Sequence, residues 1–278
     1  LDNFDLHNHS RFSDGLLSPS QLIDLAARNE TDAVALTDHD TTDGLEEAGR
    51  AARAAGIVLV PGVEISVSWG GTTLHVVGLQ VDPTHEALAR GLKSIRDGRM
   101  GRAENIAAEL VKLGFAGTLE GALALAENKE MISRSHFARF LAQQGRVKDT
   151  QAAFDKYLGK GKPAYVAHRW ASLDNAVAWI RTAGGIAVLA HPGRYGLKPM
   201  MRDEMLADFR TAGGEAIEVV TGSHRPEEFA HWQRIALEHG FLASRGADYH
   251  GPGESPHEPG RLEPLHASLT PVWSRWAH

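Results

Sequence analysis

The chain has 278 residues, 42% of them hydrophobic and 23% charged, which suits one large core or a main domain with a smaller one and excludes wholesale disorder. Its formal net charge of -6 provides no global positive field to hold a long nucleic acid, so a polyanionic substrate must be gripped locally. The absence of cysteine removes disulfides, thiolate metal sites and cysteine nucleophiles together.

The opening residues Leu1-Asp2-Asn3-Phe4-Asp5 carry neither a basic nor an apolar leader segment, and no apolar run approaches the ~18 residues of a membrane span. A soluble cytoplasmic protein with no membrane partner is expected. Apolar runs at 4–7, 33–36, 57–60 and 74–79 have strand length. Between the first three lie helical patterns, Leu22, Leu25 and Ala26 in one and Leu45, Ala48 and Ala52 in the next. Ser18-Pro19 reads as an N-cap with proline at the first helical position, and Gly56 as the stop of the second helix. This βαβα rhythm predicts a parallel sheet.

From about residue 86 to 157 the strand signal gives way to helical patterns, marked by Ile106, Leu110 and Leu113, by Phe137, Phe140 and Leu141, and by Phe154, Tyr157 and Leu158. The run Gly159-Lys160-Gly161-Lys162-Pro163 punctuates the exit. A helical insertion domain over 86–162, serving as a substrate lid, is therefore expected within a main domain of 1–85 and 163–278. The alternation resumes with helices at 173–182, 202–212 and 226–239 and strands at 186–190, 216–220 and 241–244. Six or seven βα units suggest an α/β barrel, and the Pro- and Gly-rich stretch 251–260 a surface loop.

The fifteen histidines matter by their place relative to strand ends. His7 and His9 follow the first strand, His39 the second, Glu64 the third, His191 and His250 two later ones, while His75 lies within its strand. Residues just past parallel strand ends converge on one face. In His7-Asn8-His9 the two imidazoles are two apart and point to the same side, and Asp248 and His250 repeat that spacing. Asp14 and Thr37-Asp38-His39-Asp40 add further donors, Glu64 can bridge two ions, and Asp38 and Asp40 are read as groups orienting His39. Mixed imidazole and carboxylate donors suit Mn²⁺, Zn²⁺ or Fe²⁺ better than Ca²⁺ or Mg²⁺.

The motifs His7-Asn8-His9-Ser10, Ser13-Asp14-Gly15, Leu36-Thr37-Asp38-His39-Asp40, Pro61-Gly62-Val63-Glu64, Leu74-His75-Val76-Val77-Gly78, Ala190-His191-Pro192-Gly193 and Asp248-x-His250 resemble the motif set of the PHP (polymerase and histidinol phosphatase) family. The segments Ile132-Ser133-Arg134-Ser135-His136 and Tyr157-Leu158-Gly159-Lys160-Gly161-Lys162-Pro163 resemble the branch of that family containing 3',5'-nucleoside bisphosphate phosphatases and a 5'-to-3' exoribonuclease. The resemblance implies a distorted (β/α)7 barrel with two or three divalent ions, Mn²⁺ foremost. By motif position, His7, His9, Glu64 and Asp248 would hold the first ion, Glu64, His75 and His191 the second, and Asp14, His39 and His250 the third. His7, His9, Glu64, His191 and Asp248 are the expected catalytic surroundings of the attacking hydroxide.

The implied reaction removes the 3'-phosphate of a small 3',5'-bisphosphorylated nucleoside such as adenosine 3',5'-bisphosphate. Arg134, His136, Lys162 and Arg194 are candidates for the 5'-phosphate, since a guanidinium fork matches phosphate. Trimming of short 5'-phosphorylated RNA is the alternative within this chemistry, and a metal-dependent amidohydrolase or a binding module the alternatives outside it. His168 and His224 are expected near the barrel mouth, while His85, His231, His239, His257, His266 and His278 read as surface. The six tryptophans read as packing rather than base-stacking platforms.

Overall fold

The computed structural model describes residues 2–276; His278 lies outside them. Seven strands form one sheet in chain order: β1 (Phe4–Asp5), β2 (Ala33–Leu36), β3 (Val58–Trp69), β4 (Thr72–Leu79), β5 (Ile186–Leu189), β6 (Ala216–Thr221) and β7 (Leu242–Gly246). The sheet curls into a nearly closed barrel. Leu6 N donates to Arg245 O at 2.9 Å, and Asn8 forms a parallel bridge with Tyr249. That approach requires Gly246, where a Cβ would stand 2.3 Å from His7 Cβ.

The flanking helices follow from local signals. Helix α1 (Pro19–Arg28) starts at a Ser18–Gln21 capping box and buries Leu22, Ile23 and Ala26. Helix α2 (Leu45–Ala55) stops at Gly56, whose φ of 73° is left-handed. Along β2 the side chains alternate. Val34 and Leu36 join the core under the helices, and Ala33 and Ala35 the interior cluster with Val60, Val77 and Val188. Phe4 stacks on Trp273, ring centroids 4.3 Å apart, against that interior cluster.

The expectation of a parallel sheet holds for β1–β2–β3 and β5–β6–β7 and fails between them, where β4 runs antiparallel to both β3 and β5. The cause is a hairpin. Trp69 pairs with Thr72 across Gly70-Gly71, whose φ values of 52° and 74° suit a two-residue turn with both centres left-handed. Strand β3 therefore runs to Trp69 rather than stopping near 60, and Glu64 lies inside it rather than past its end. Pro61 is tolerated because the ladder to β2 ends there and the ladder to β4 begins at Gly62.

Between β4 and β5 come α3 (Glu86–Arg96), α4 (Arg99–Lys112), α5 (Thr118–Leu125), α6 (Arg134–Gln143), the short α7 (Thr150–Ala153) and a π-turn, Phe154–Leu158. Leu88, Leu92 and Ile95 of α3 pack into the barrel's outer core. Ile106, Leu110, Phe137, Leu141 and Leu158 form a second core of their own. Three further helices, α8 (Leu173–Thr182), α9 (Pro199–Ala212) and α10 (Pro226–His239), complete the ring. No helix among the described residues is long and apolar enough to cross a membrane.

Candidate metal centre

Strand ends and the hairpin bring His7, His9, Asp14, His39, Glu64, His75, His191, Asp248 and His250 into one cluster at the barrel mouth. Glu64 pairs with Val77 and Ser66 with His75, so Glu64 and His75 share the inward face as diagonal neighbours. His191 and Asp248 have positive φ, 29° and 50°, as has Asp40 at 48°. Such strain persists only where surrounding contacts fix it.

His7 Nε2, His9 Nε2, Glu64 Oε2 and Asp248 Oδ1 converge: the histidine nitrogens lie 3.1 Å apart, and each is 3.2–3.5 Å from the two carboxylate oxygens. A tetrahedral ion with ligand bonds of ~2.0–2.2 Å has donor–donor edges of about 3.3–3.6 Å, so the spacing fits a bound cation. Glu64 Oε1 stands 2.8 Å from His75 Nδ1 and 3.0 Å from His191 Nε2, and those two nitrogens are 3.3 Å apart. Asp14 Oδ1 faces His250 Nε2 at 3.4 Å and His39 Nε2 at 3.8 Å, with His9 in the same group. Glu64 Oε2 and Asp14 Oδ1 are buried and accept no hydrogen bond among the described residues. Four groups of donors result, overlapping at His7, His9, His39 and Glu64.

Burial alone would push the His9 imidazole down, but Asp248 and Glu64 raise it to about 10. Burial is likewise outweighed at His7, which Glu218, Glu64 and Asp248 hold well above its ordinary value. Burial would raise Glu64, yet His75, His39 and His7 hold it well below the usual carboxylate range. His191 is pushed down to about 3 by burial and by Arg194. Without cations, the surrounding carboxylates thus favour protonation of the His7–His9 pair, whose Nε2 atoms stand 3.1 Å apart, and cations would displace that proton.

A pH dependence follows for chelator-stripped protein. A folded-state pKa near 10 against 6.5 for the unfolded chain stabilises fully below about 6.5, and that contribution disappears as pH rises through about 10. His191 stays neutral in this window, and the depressed carboxylates titrate below it. The melting temperature of stripped protein should therefore fall between pH 7 and pH 10, by scanning fluorimetry, and that of cation-loaded protein much less. Equal slopes for the two forms would refute this protonation pattern.

Behind the donors stand groups that lie outside the sequence motifs. Buried Glu218 on β6 accepts from His7 Nδ1 at 2.7 Å and from His191 N at 2.6 Å, turning His7 Nε2 toward the cluster. His224 Nε2 accepts from Gly193 N at 2.9 Å and steadies the loop after His191. His168 instead packs edge-on against Trp170. Asp38 and Asp40 do not hold His39, a correction to the expectation. Asp38 accepts from Ser10 N, Ser10 Oγ and Ser13 Oγ at 2.6–2.7 Å, and Asp40 from Ser66 N, Ser66 Oγ and Arg99.

Beside the cluster lies a tightly closed cleft without room for a water molecule, lined by Arg99, Arg102, Ser133, Arg134 and Trp170 and backed by the apolar Ala103, Ile106, Ile132 and Phe137. Arg99 and Arg102 sit over the Trp170 ring, 5.0 and 5.1 Å from its centroid, so Trp170 does more than fill space. Burial, with Arg134 and Arg99 nearby, pushes Arg102 down to about 9, the mark of positive charge short of anionic partners. Arg194 is half exposed and donates to Asp248 Oδ2 at 3.1 Å. Lys162 is exposed and makes no side-chain hydrogen bond among the described residues. His136 departs from expectation: it is buried, its Nδ1 accepts from Ser133 N at 3.1 Å, and burial pushes it down to about 4. With Nδ1 engaged at the start of α6, a neutral His136 could meet a phosphate only as an Nε2–H donor, without charge.

Residues 5–165 match the PHP domain family. The chain is 51% identical to a 3',5'-nucleoside bisphosphate phosphatase of Chromobacterium violaceum, with 98% of this chain and 96% of that one covered. It is 39% identical to a 5'-3' exoribonuclease of Haemophilus influenzae, 98% of each chain being covered. The solved structure of an amidohydrolase from Chromobacterium violaceum, with bound sulfate and no metal, superposes with a TM-score of 0.95 at 50% identity, covering 98% and 95% of the two chains. The chain belongs to the PHP domain family of metal-dependent phosphoesterases.

Proposed function

We propose that the protein removes the 3'-phosphate from 3',5'-nucleoside bisphosphates, giving the 5'-monophosphate and phosphate. The observation that carries this reading is the placement of two anion-seeking sites side by side. Ser133 lines the arginine cleft and also donates to Asp14 of the donor cluster. A molecule carrying two phosphates suits two such neighbouring sites once the cleft opens to admit one of them. Relatives bearing the phosphatase and exoribonuclease names support the substrate class.

In this reading His7, His9, Glu64 and Asp248 hold one divalent ion, Glu64, His75 and His191 a second, and Asp14, His39 and His250 a third, with His9 shared. Divalent ions there, Mn²⁺ foremost by the family resemblance and Zn²⁺ or Fe²⁺ equally suited to the donors, would lower the pKa of water to about 7 and offset charge on the phosphoryl oxygens. Glu218 keeps the Nδ1 proton of His7, so Nε2 keeps its lone pair for the site. Arg134 and Arg102 hold the 5'-phosphate, with Arg99, paired to Asp40, behind them and Arg194 and Lys162 at the rim. The helical segment 86–162 is the lid that carries most of these cations. The reaction belongs in the cytoplasm, where free nucleotides are found.

The exoribonuclease relative, matched over almost the whole chain, favours a second substrate on the same centre: short 5'-phosphorylated RNA, cut at its first 3'-phosphodiester. The test is phosphate release from adenosine 3',5'-bisphosphate and from 2'-, 3'- and 5'-monophosphates by Mn²⁺-loaded protein, with release of the 5'-nucleotide followed for a 5'-phosphorylated trinucleotide. We expect the bisphosphate to exceed each monophosphate in kcat/KM by at least about 10-fold, the worth of one charge-assisted hydrogen bond. Preference for a monophosphate would remove the reading, and hydrolysis of amides alone would return the chain to the amidohydrolase alternative.

A further inference from the structure

We propose that Ser133 and Ser135, on the helical segment between β4 and β5, are positioning residues for the cation held by His9, Asp14, His39 and His250. Filling that site and docking this segment on the barrel are then one coupled event. The inference rests on the proposed reading of those four residues as a cation site.

The buried Asp14 carboxylate divides its two oxygens between two structures. Oδ1 faces His250 and His39 and accepts no hydrogen bond among the described residues. Oδ2 accepts from Ser135 Oγ at 2.9 Å and from Ser133 Oγ at 3.2 Å. Both serines sit at the start of α6, where Ser133 is the N-cap and its Oγ accepts from Ser135 N. A carboxylate turns about a broad, two-fold torsion. Two hydroxyl donors on one oxygen select the rotation that presents the other oxygen to the imidazoles.

The same helix grips the two loops that carry the cluster's other donors. Arg139 donates to the Asp14 carbonyl and forms paired hydrogen bonds to Glu254, at 2.8 and 2.7 Å. Glu254 follows His250 in the loop where Ser255 Oγ accepts from His250 N at 2.7 Å. The first turns of α6 therefore touch the ligand loop 10–15, the ligand loop 248–255 and, through Ser133 and Arg134, the arginine cleft. The groups of His7, Glu64, His191 and Asp248 take no hydrogen bond from this helix. A cation at the Asp14 site would stabilise the docked helix, and undocking would weaken that cation by the same factor.

The experiment is calorimetric titration of the full chelator-stripped chain with Mn²⁺, comparing wild type with a Ser133→Ala/Ser135→Ala double variant and with Ser135→Thr. One class of sites should weaken about 10–100-fold in the double variant, the usual range for a lost ligand-orienting hydrogen bond. The remaining sites should be unchanged, and Ser135→Thr should bind like wild type because it keeps the hydroxyl. In wild type, amide exchange of α6 should slow as the affected site fills; in the double variant it should not respond. Unchanged affinities in the double variant, or equal weakening of every site, would overturn the coupling. The titration reads cations and not phosphate release, so failure on bisphosphates together with a selective loss here would remove the substrate reading and leave this one standing.

Discussion

Replacing Glu64 with glutamine is expected to lower kcat/KM by about 10³-fold or more, roughly 4 kcal/mol of transition-state stabilisation, and to reduce the number of bound cations. The two oxygens of Glu64 face five histidines of the cluster. One oxygen lies within 3.3 Å of His7, His9 and His39, and the other within 3.0 Å of His75 and His191. Glutamine keeps the shape, removes the charge and points an N–H donor at one of those groups. His7 and His9 would lose part of what holds them protonated in the stripped protein, which adds a spectroscopic readout by histidine NMR. The measurement is activity with metal content on the same sample. Activity within tenfold of wild type at full cation content would show that Glu64 is not the bridge.

Arg134→Ala is expected to raise KM for the bisphosphate about 10–100-fold, the range of ~1.5–3 kcal/mol for a hydrogen bond to a charged group, with a far smaller effect on a 3'-monophosphate. Arg134 lies under the cleft, donating to Leu158 O at 3.2 Å and stacked near Phe154 and Tyr165. Burial pushes its guanidinium down, an energetic cost that a bound dianion would relieve. Arg134→Lys should recover part of the loss, since it restores charge without the planar fork. Equal losses on bisphosphate and monophosphate would mean that Arg134 supports the fold of the helical segment rather than contacting the 5'-phosphate.

Sequence legibility followed physical range. Elements fixed by local rules appeared at their true places: the Ser18 cap, the Gly56 stop, and the helices at 173–182 and 226–239, whose apolar spacing matches one buried face. The β3–β4 hairpin was hidden because Pro61-Gly62 reads as a strand end, although Gly70-Gly71 between apolar runs was a visible turn signal. Glu218 carried a signal too, a lone carboxylate inside the apolar run Ala216–Thr221, where a buried charge needs a partner. Arg99 and Arg102 carried none. Their spacing on α4 looks like a solvated helix, and only the packing of that helix against Trp170 turns them inward. The same holds for Ser133 and Ser135, whose partner Asp14 lies more than a hundred residues away.

The central claim is an orientation: the 3'-phosphate at the donor cluster and the 5'-phosphate in the arginine cleft. Phosphorus NMR of the products formed from adenosine 3',5'-bisphosphate by Mn²⁺-loaded protein tests it most directly. The expected products are adenosine 5'-monophosphate and inorganic phosphate; accumulation of the 3'-monophosphate would reverse the assignment of the two sites.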